Sequence, residues 1–248
     1  MQFERRQKIV VGILAFLICC FSTQANAGRT AQDPDEAFAT ALENARKTHD
    51  ETQLQSAKAQ IEERIAKNPG DALNFFALAK VDSYFVDLYE FRKDKKHAST
   101  TVDQAIEAVQ HSLQLNDKSA DAHSLLADLY GRKIPLSGMF AGPKFGPKVG
   151  EENKKAMALD DKNPRVWASQ GRQYLMAPKM FGGDVAKAID SFQKSLSIDA
   201  AQDETWVWLA KAFQKQGDKA KARDAVQHAL QLNPQSPFAK ATLAELPQ

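Results

Sequence analysis

The sequence holds two cysteines, Cys19 and Cys20, and none after residue 20. Nearly all of the chain therefore lacks the means for a disulfide framework, a thiolate metal site or a Cys-based redox centre. Histidine is also sparse: His49, His97, His111, His123 and His228 form no HxH or HxxxH pair. Only His111 and His123, in consecutive helical runs, could approach each other, and without a recognisable ligand motif they make no metal site. There is no GxGxxG or GxxxxGK[ST] stretch, and no serine in a GxSxG context. Gly142, Gly146, Gly182 and Gly183 lie between helical runs with no strand before them, so a phosphate cradle is not expected. These absences point away from an enzyme and leave no catalytic, cofactor-binding or metal-ligating residues to name, and no cofactor.

Long apolar runs are equally scarce. One, Ile9 to Phe21, follows Arg5, Arg6 and Lys8 and precedes Ala25-Asn26-Ala27. It is too short to span a bilayer comfortably. Basic head, short apolar stretch and A-x-A site read as a secretory signal over 1–27, cleaved after Ala27. An uncleaved anchor is one alternative. A lipoprotein is another, but the residue before a lipidated cysteine is normally small, and here it is Ile18 or Cys19. The expectation is an exported protein, periplasmic or secreted, whose mature form does not span a membrane. Beyond residue 27 the sequence has 30 basic and 30 acidic residues. Such a balance gives no global attraction for nucleic acid.

What is present is helical periodicity. In Asp203 to Ser236, large apolar residues fall at Trp206, Leu209 and Phe213, with Ala210 beside them. Gly217-Asp218 breaks the pattern, and a second run follows with Ala222, Val226 and Ala229 on one face, stopped by Asn233-Pro234. This is two amphipathic helices joined by a tight turn. Small residues at Ala210, Ala222 and Ala229 let the helices approach closely. The 34-residue spacing resembles a tetratricopeptide repeat. The resemblance implies an all-α fold: a right-handed superhelical solenoid of helix–turn–helix repeats, here with elongated intra-repeat loops.

The same register recurs. Unit 72–119 carries Phe75, Leu78 and Ala79, then Ala105, Val109 and Ser112. Unit 120–163 carries Leu126, Ala127 and Tyr130, and its second helix is expected from Pro147, with Val149, Asn153 and Ala156. Unit 164–202 carries Trp167, Gly171 and Tyr174, then Ala188, Phe192 and Ser195. Unit 203–236 is the parent stretch. Before them, 28–71 reads as a degenerate or capping helical pair, with Asp33-Pro34 at its start and Asn68-Pro69-Gly70 at its end; after them, 237–248 reads as a capping helix.

The units from 72, 120 and 164 exceed 34 residues by 14, ten and five, and each excess lies between a unit's two helices. Equivalent turns of a solenoid emerge on one edge, so these additions should lie side by side. The edge is rich in Met and Phe: Met139, Phe140 and Phe145, then Met180 and Phe181, with Lys144, Lys148 and Lys179 around them. Met139-Phe140-Ala141-Gly142 and Met180-Phe181-Gly182-Gly183 echo each other. Two readings stand: a small core beneath the loops, or an apolar binding edge.

In the repeat family the first helices line a concave groove that takes peptides. The matching positions include Lys80, Tyr84, Arg132, Arg165, Arg172, Lys211 and Lys215, and they make the C-terminal half of the groove basic. The expected function is a non-catalytic scaffold for a protein or peptide partner, one with an acidic or C-terminal carboxylate segment. The groove asparagines of the family's carboxylate clamp are missing. Two alternatives remain open: a small-molecule or lipid-binding accessory of a transport system, and a self-associating structural homo-oligomer.

Overall fold

The computed structural model describes residues 34–138 and 140–246. The signal-like segment 1–27 and Met139 lie outside the described residues. The described residues contain eleven α-helices, one 3-10 turn and no strand. In chain order they are α1 (Pro34–Thr48), α2 (Glu51–Lys67), α3 (Ala72–Phe91), α4 (Lys95–Leu115), α5 (Ala120–Leu136), α6 (Ala141–Leu159), α7 (Pro164–Met176), α8 (Val185–Ile198), α9 (Asp203–Gln216), α10 (Lys219–Leu232) and α11 (Pro237–Glu245), with the 3-10 turn Lys179–Phe181 between α7 and α8. The fold is an all-α solenoid of helical hairpins.

Local chemistry sets the breaks. Asp50, Asp71, Asp94, Ser119, Asn163, Asp184, Asp218 and Ser236 each precede a helix and accept a backbone N–H of its first turn. A side-chain cap of this kind is worth about 1 kcal/mol. The small positions of the second helices are all buried: Ala105, Ala188 and Ala222 are fully covered, as are Val109, Phe192 and Val226. The third position repeats a bond. Ser112 Oγ donates to Ala72 O at 2.8 Å, and Ser195 Oγ to Pro164 O at 2.7 Å, tying the end of each hairpin back to its beginning.

One pair of positions exchanges volume between units. Most units set an alanine of the first helix against a medium residue of the second. The fourth hairpin instead sets Gly171 against Phe192. A Cβ on Gly171 would come within 2.6 Å of the Phe192 ring, so glycine is required by the larger side chain opposite it.

The sequence expectation is corrected at α6. This helix begins at Ala141, not at Pro147. Pro143 falls in the first turn, where a missing N–H costs nothing, and Pro147 forgoes one bond inside the helix. Burial of Ala141 and Phe145 holds the extra turns in place, with Phe145 stacked on Tyr130 at 5.7 Å.

Consecutive first helices run parallel, as their cross-links show. Asp121 meets Arg165 and Asp128 meets Arg172, each pair 44 residues apart, and Lys215 reaches the carbonyl of Leu175, 40 residues away. Arg132 of α5 likewise meets Asp87 of α3, 45 residues back, and these similar offsets give a common direction, so α3, α5, α7 and α9 all end at one edge. The loops 92–94, 137–140 and 177–184 therefore emerge together.

Candidate functional site

Four positions at the starts of the first helices show how the solenoid builds its wall. Trp167 Nε1 donates to Asp161 O at 2.7 Å, and Trp206 Nε1 to Ala200 O at 2.9 Å, each six residues back. His123 holds the same place in its hairpin. Its Nε2 lies 3.0 Å from Asp117 O, again six residues back, and its Nδ1 lies 2.5 Å from Glu152 Oε2. Phe75 fills the place in the second hairpin and stacks on His111 at 4.0 Å. His123 and His111 are thus structural partners. No group of three or more metal-ligating side chains occurs among the described residues.

The channel inside the first helices is charged, and nearly every cation in it meets a partner from a neighbouring helix. Arg132 is 2.5 Å from Asp87 and 3.2 Å from Glu90. Arg165 is 3.2 Å from Asp121. Arg172 grips Asp128 with two bonds, one of 2.9 Å. Lys211 lies 3.7 Å from Glu245 and over the Phe238 ring, and Lys215 donates to Leu175 O at 2.6 Å. The basic half of the groove is therefore satisfied from within, by carboxylates and, at Lys215, by a backbone carbonyl.

Arg46 closes the channel. From the last turn of α1 it reaches the first turn of α9, at 2.8 Å from Asp203 and 2.5 Å from Glu204, while also binding Glu43. Asn233 Nδ2 donates to the other Asp203 oxygen at 2.9 Å and to Lys47 O at 3.4 Å. Burial pushes the Glu204 carboxyl up, but the Arg46 guanidinium outweighs it and holds Glu204 below the usual carboxylate range. Burial pushes Asp87 up to about 6, against the pull of Arg132 and with the help of Glu204. No sequence signal marked Arg46, Asp203 or Asp87, because their meeting depends on the curvature of the whole stack.

Two predicted groove residues differ from the rest. Lys80 makes no hydrogen bond or ion pair with any described residue. Burial lowers its ammonium pKa, and Arg165 adds to the effect. Tyr84, one turn further along the same face of α3, is buried, and its hydroxyl has no hydrogen-bond partner among the described residues. Burial raises the Tyr84 pKa, so the group stays a neutral donor. Arg46, Glu43, Glu204 and Arg165 act on it electrostatically.

The loop edge divides. Phe145 is core. Phe140, Met180 and Phe181 stand in solvent, 81%, 82% and 66% exposed. Lys144 and Lys148 sit over aromatic rings, and Lys144, Lys148 and Lys179 pair with no carboxylate among the described residues.

The model of the family described as regulator of microtubule dynamics protein 1-3 matches residues 41–247. The chain belongs to this family. No curated protein matches the sequence. Among solved structures, it is similar to TTC0263, a thermophilic tetratricopeptide repeat protein of Thermus thermophilus. The TM-score is 0.64 at 15% identity over 84% of this chain and 98% of that one. YrrB, described as a tetratricopeptide repeat protein with an unusual peptide-binding site, aligns at TM-score 0.41 and 12% identity over 83% of this chain and 97% of that one. MamA aligns at 0.42 and 16% over 82% and 95%. The likeness to the Thermus protein is one of fold. It shows that this family member has a tetratricopeptide-like architecture.

Proposed function

We propose that the chain is an exported adaptor that binds a segment of another protein in its concave channel, with one anionic group of that segment received by Lys80 and Tyr84. The observation that carries this reading is the contrast inside the channel. Arg132, Arg165, Arg172, Lys211 and Lys215 are satisfied internally, while Lys80 is not. A half-buried ammonium without a partner is costly, and an incoming carboxylate would relieve that cost. The neighbouring hydroxyl supplies a second donor. The reading asks for one well-placed acidic group on the partner, not a run of acids, because Arg132, Arg165, Arg172 and Lys211 already have counter-charges and Lys215 is held by a backbone carbonyl. No helix among the described residues is long and apolar enough to cross a membrane.

Affinity recovery tests the proposal. Tagged wild-type protein should retain one main partner, and Lys80→Met should reduce its recovery by about tenfold. Equal recovery by the variant would remove the channel from the function. N-terminal sequencing of the purified protein tests export: a start at Gly28 supports it, and a start at Met1 contradicts it.

A further inference from the structure

The loop edge carries a second, independent feature. The segment 177–184 is short and tightly tied. Phe181 N donates to Pro178 O at 2.8 Å, Gly183 N to the same oxygen at 3.0 Å, and Asp184 N to Tyr174 O at 2.9 Å. Gly183 passes so close to Ala177 that a Cβ would lie 1.9 Å from its carbonyl oxygen, and Gly182 has φ +88°. The loop is thus held by its backbone in a shape only glycine permits. Yet the two large side chains it carries, Met180 and Phe181, are 82% and 66% exposed. The same arrangement recurs next door, where Gly138 at φ +80° turns the chain out of α5 and leaves Phe140 standing in solvent. Met176, at the end of α7, is 66% exposed beside them. The opposite edge also exposes apolar residues, but apart from Leu73 these (Leu115, Leu159 and Ile198) are only 39–42% exposed, against 66–82% for Phe140, Met176, Met180 and Phe181.

Charge distinguishes this edge from the opposite one. From the second hairpin on, the turns together with the starts of the helices that follow them, 92–97, 137–148, 177–184 and 217–221, hold nine basic and three acidic residues. All three acids, Asp94, Asp184 and Asp218, are helix caps bonded to backbone N–H groups. On the other edge, the turns at 68–71, 115–120, 159–164 and 198–203 hold two basic and six acidic residues. The chain is balanced overall, so this is a separation of charge across the solenoid.

We propose that the edge formed by Phe140, Met180 and Phe181 with Lys144 and Lys179 docks on the surface of an anionic lipid bilayer, the apolar tips entering the acyl boundary and the lysines meeting the headgroups. A bilayer fits better than a protein for two reasons. The apolar side chains are separate projections and not a continuous face, so a deformable partner accepts them where a packed one would need matching pockets. Lysine reaches headgroups with its ammonium while its stem lies on apolar surface, and Lys144 and Lys179 pair with no carboxylate among the described residues. The opposite edge, being acidic, would be repelled, which sets one orientation.

Photocrosslinking of the full chain tests the proposal. Benzoylphenylalanine in place of Phe181 is photolysed with vesicles of phosphatidylglycerol and phosphatidylethanolamine in equal parts. A control places it at Leu73, which is 72% exposed at the start of α3, on the acidic edge. The expected result is a lipid adduct at 181 and none at 73. Adduct yield should fall about tenfold with phosphatidylcholine vesicles, and about tenfold in a Lys144→Glu, Lys179→Glu background. Any of four results overturns the proposal: no lipid adduct at 181, equal adducts at 181 and 73, adducts only to a second protein chain, or yields indifferent to lipid charge. The test does not involve Lys80, so its failure leaves the channel reading untouched.

Discussion

Arg46 and Glu204 stand 158 residues apart in sequence and 2.5 Å apart in space. Their contact joins the first hairpin to the fifth and makes a channel of what would otherwise be an open groove. Arg46 is largely buried, and Asp203 beside it more so. Removing the guanidinium would leave a buried carboxylate without its counter-charge. Arg46→Met should therefore destabilise the protein by about 3 kcal/mol, most of it from Asp203, since the more exposed Glu204 is partly screened by water. Urea unfolding measures the loss, and hydrogen exchange should show the amides of α1 opening first. Unchanged stability would mean that the contact follows the curvature and does not hold it.

The Asp87 carboxyl titrates in the folded protein at about 6, above its ordinary value of 3.8, because it is buried. Between these values the folded state binds more protons than the unfolded state. Stability contributed by this group is therefore full below about pH 4 and falls as pH rises through 6. Comparison of wild type with Asp87→Asn across that window should show a difference on the order of 2 kcal/mol in this direction. Glu204 has the opposite sign: held low, it contributes above the usual carboxylate range and loses that contribution on acidification. A wild type that gains stability relative to Asp87→Asn as pH rises would contradict the assignment to Asp87.

Gly171 and Phe192 should behave as a unit. Gly171→Ala alone places a methyl 2.6 Å from the ring and should cost about 1–3 kcal/mol. In the next hairpin the equivalent pair is Ala210 and Val226, both fully buried. Combining Gly171→Ala with Phe192→Val should therefore cost less than the sum of the two single changes. Thermal unfolding of the four proteins closes the cycle, and strict additivity would show that the two sites do not share space.

Sequence reading found the solenoid because its determinants are short-range. The four- and three-residue steps through Ala188, Phe192 and Ser195 lie within one helix, and the hairpin repeats them. The shared edge for the loops also followed from the repeat. The pairing of the groove charges was less visible. Arg172 and Arg165 look like a basic face when each helix is read alone. Their neutralisation requires the offset of 44 residues to Asp128 and Asp121, a pattern between helices and not along one. The contact of Arg46 with Asp203 and Glu204 has no sequence period at all, since it is set by how far five hairpins turn. The place of His123 was also hidden in the sequence: it makes the backbone contact made elsewhere by Trp167 and Trp206, and a histidine does not show by its type that it stands in for a tryptophan.

The reactivity of Lys80 tests the central account most directly. With its pKa lowered and no bond to break, its amine should react with an acylating reagent at neutral pH faster than Lys215, which is held by Leu175 O. Mass spectrometry of the labelled protein reads both sites at once. Once the partner is bound, labelling of Lys80 should slow by about tenfold while exposed lysines are unaffected. Labelling of Lys80 at the same rate with and without partner would contradict the account.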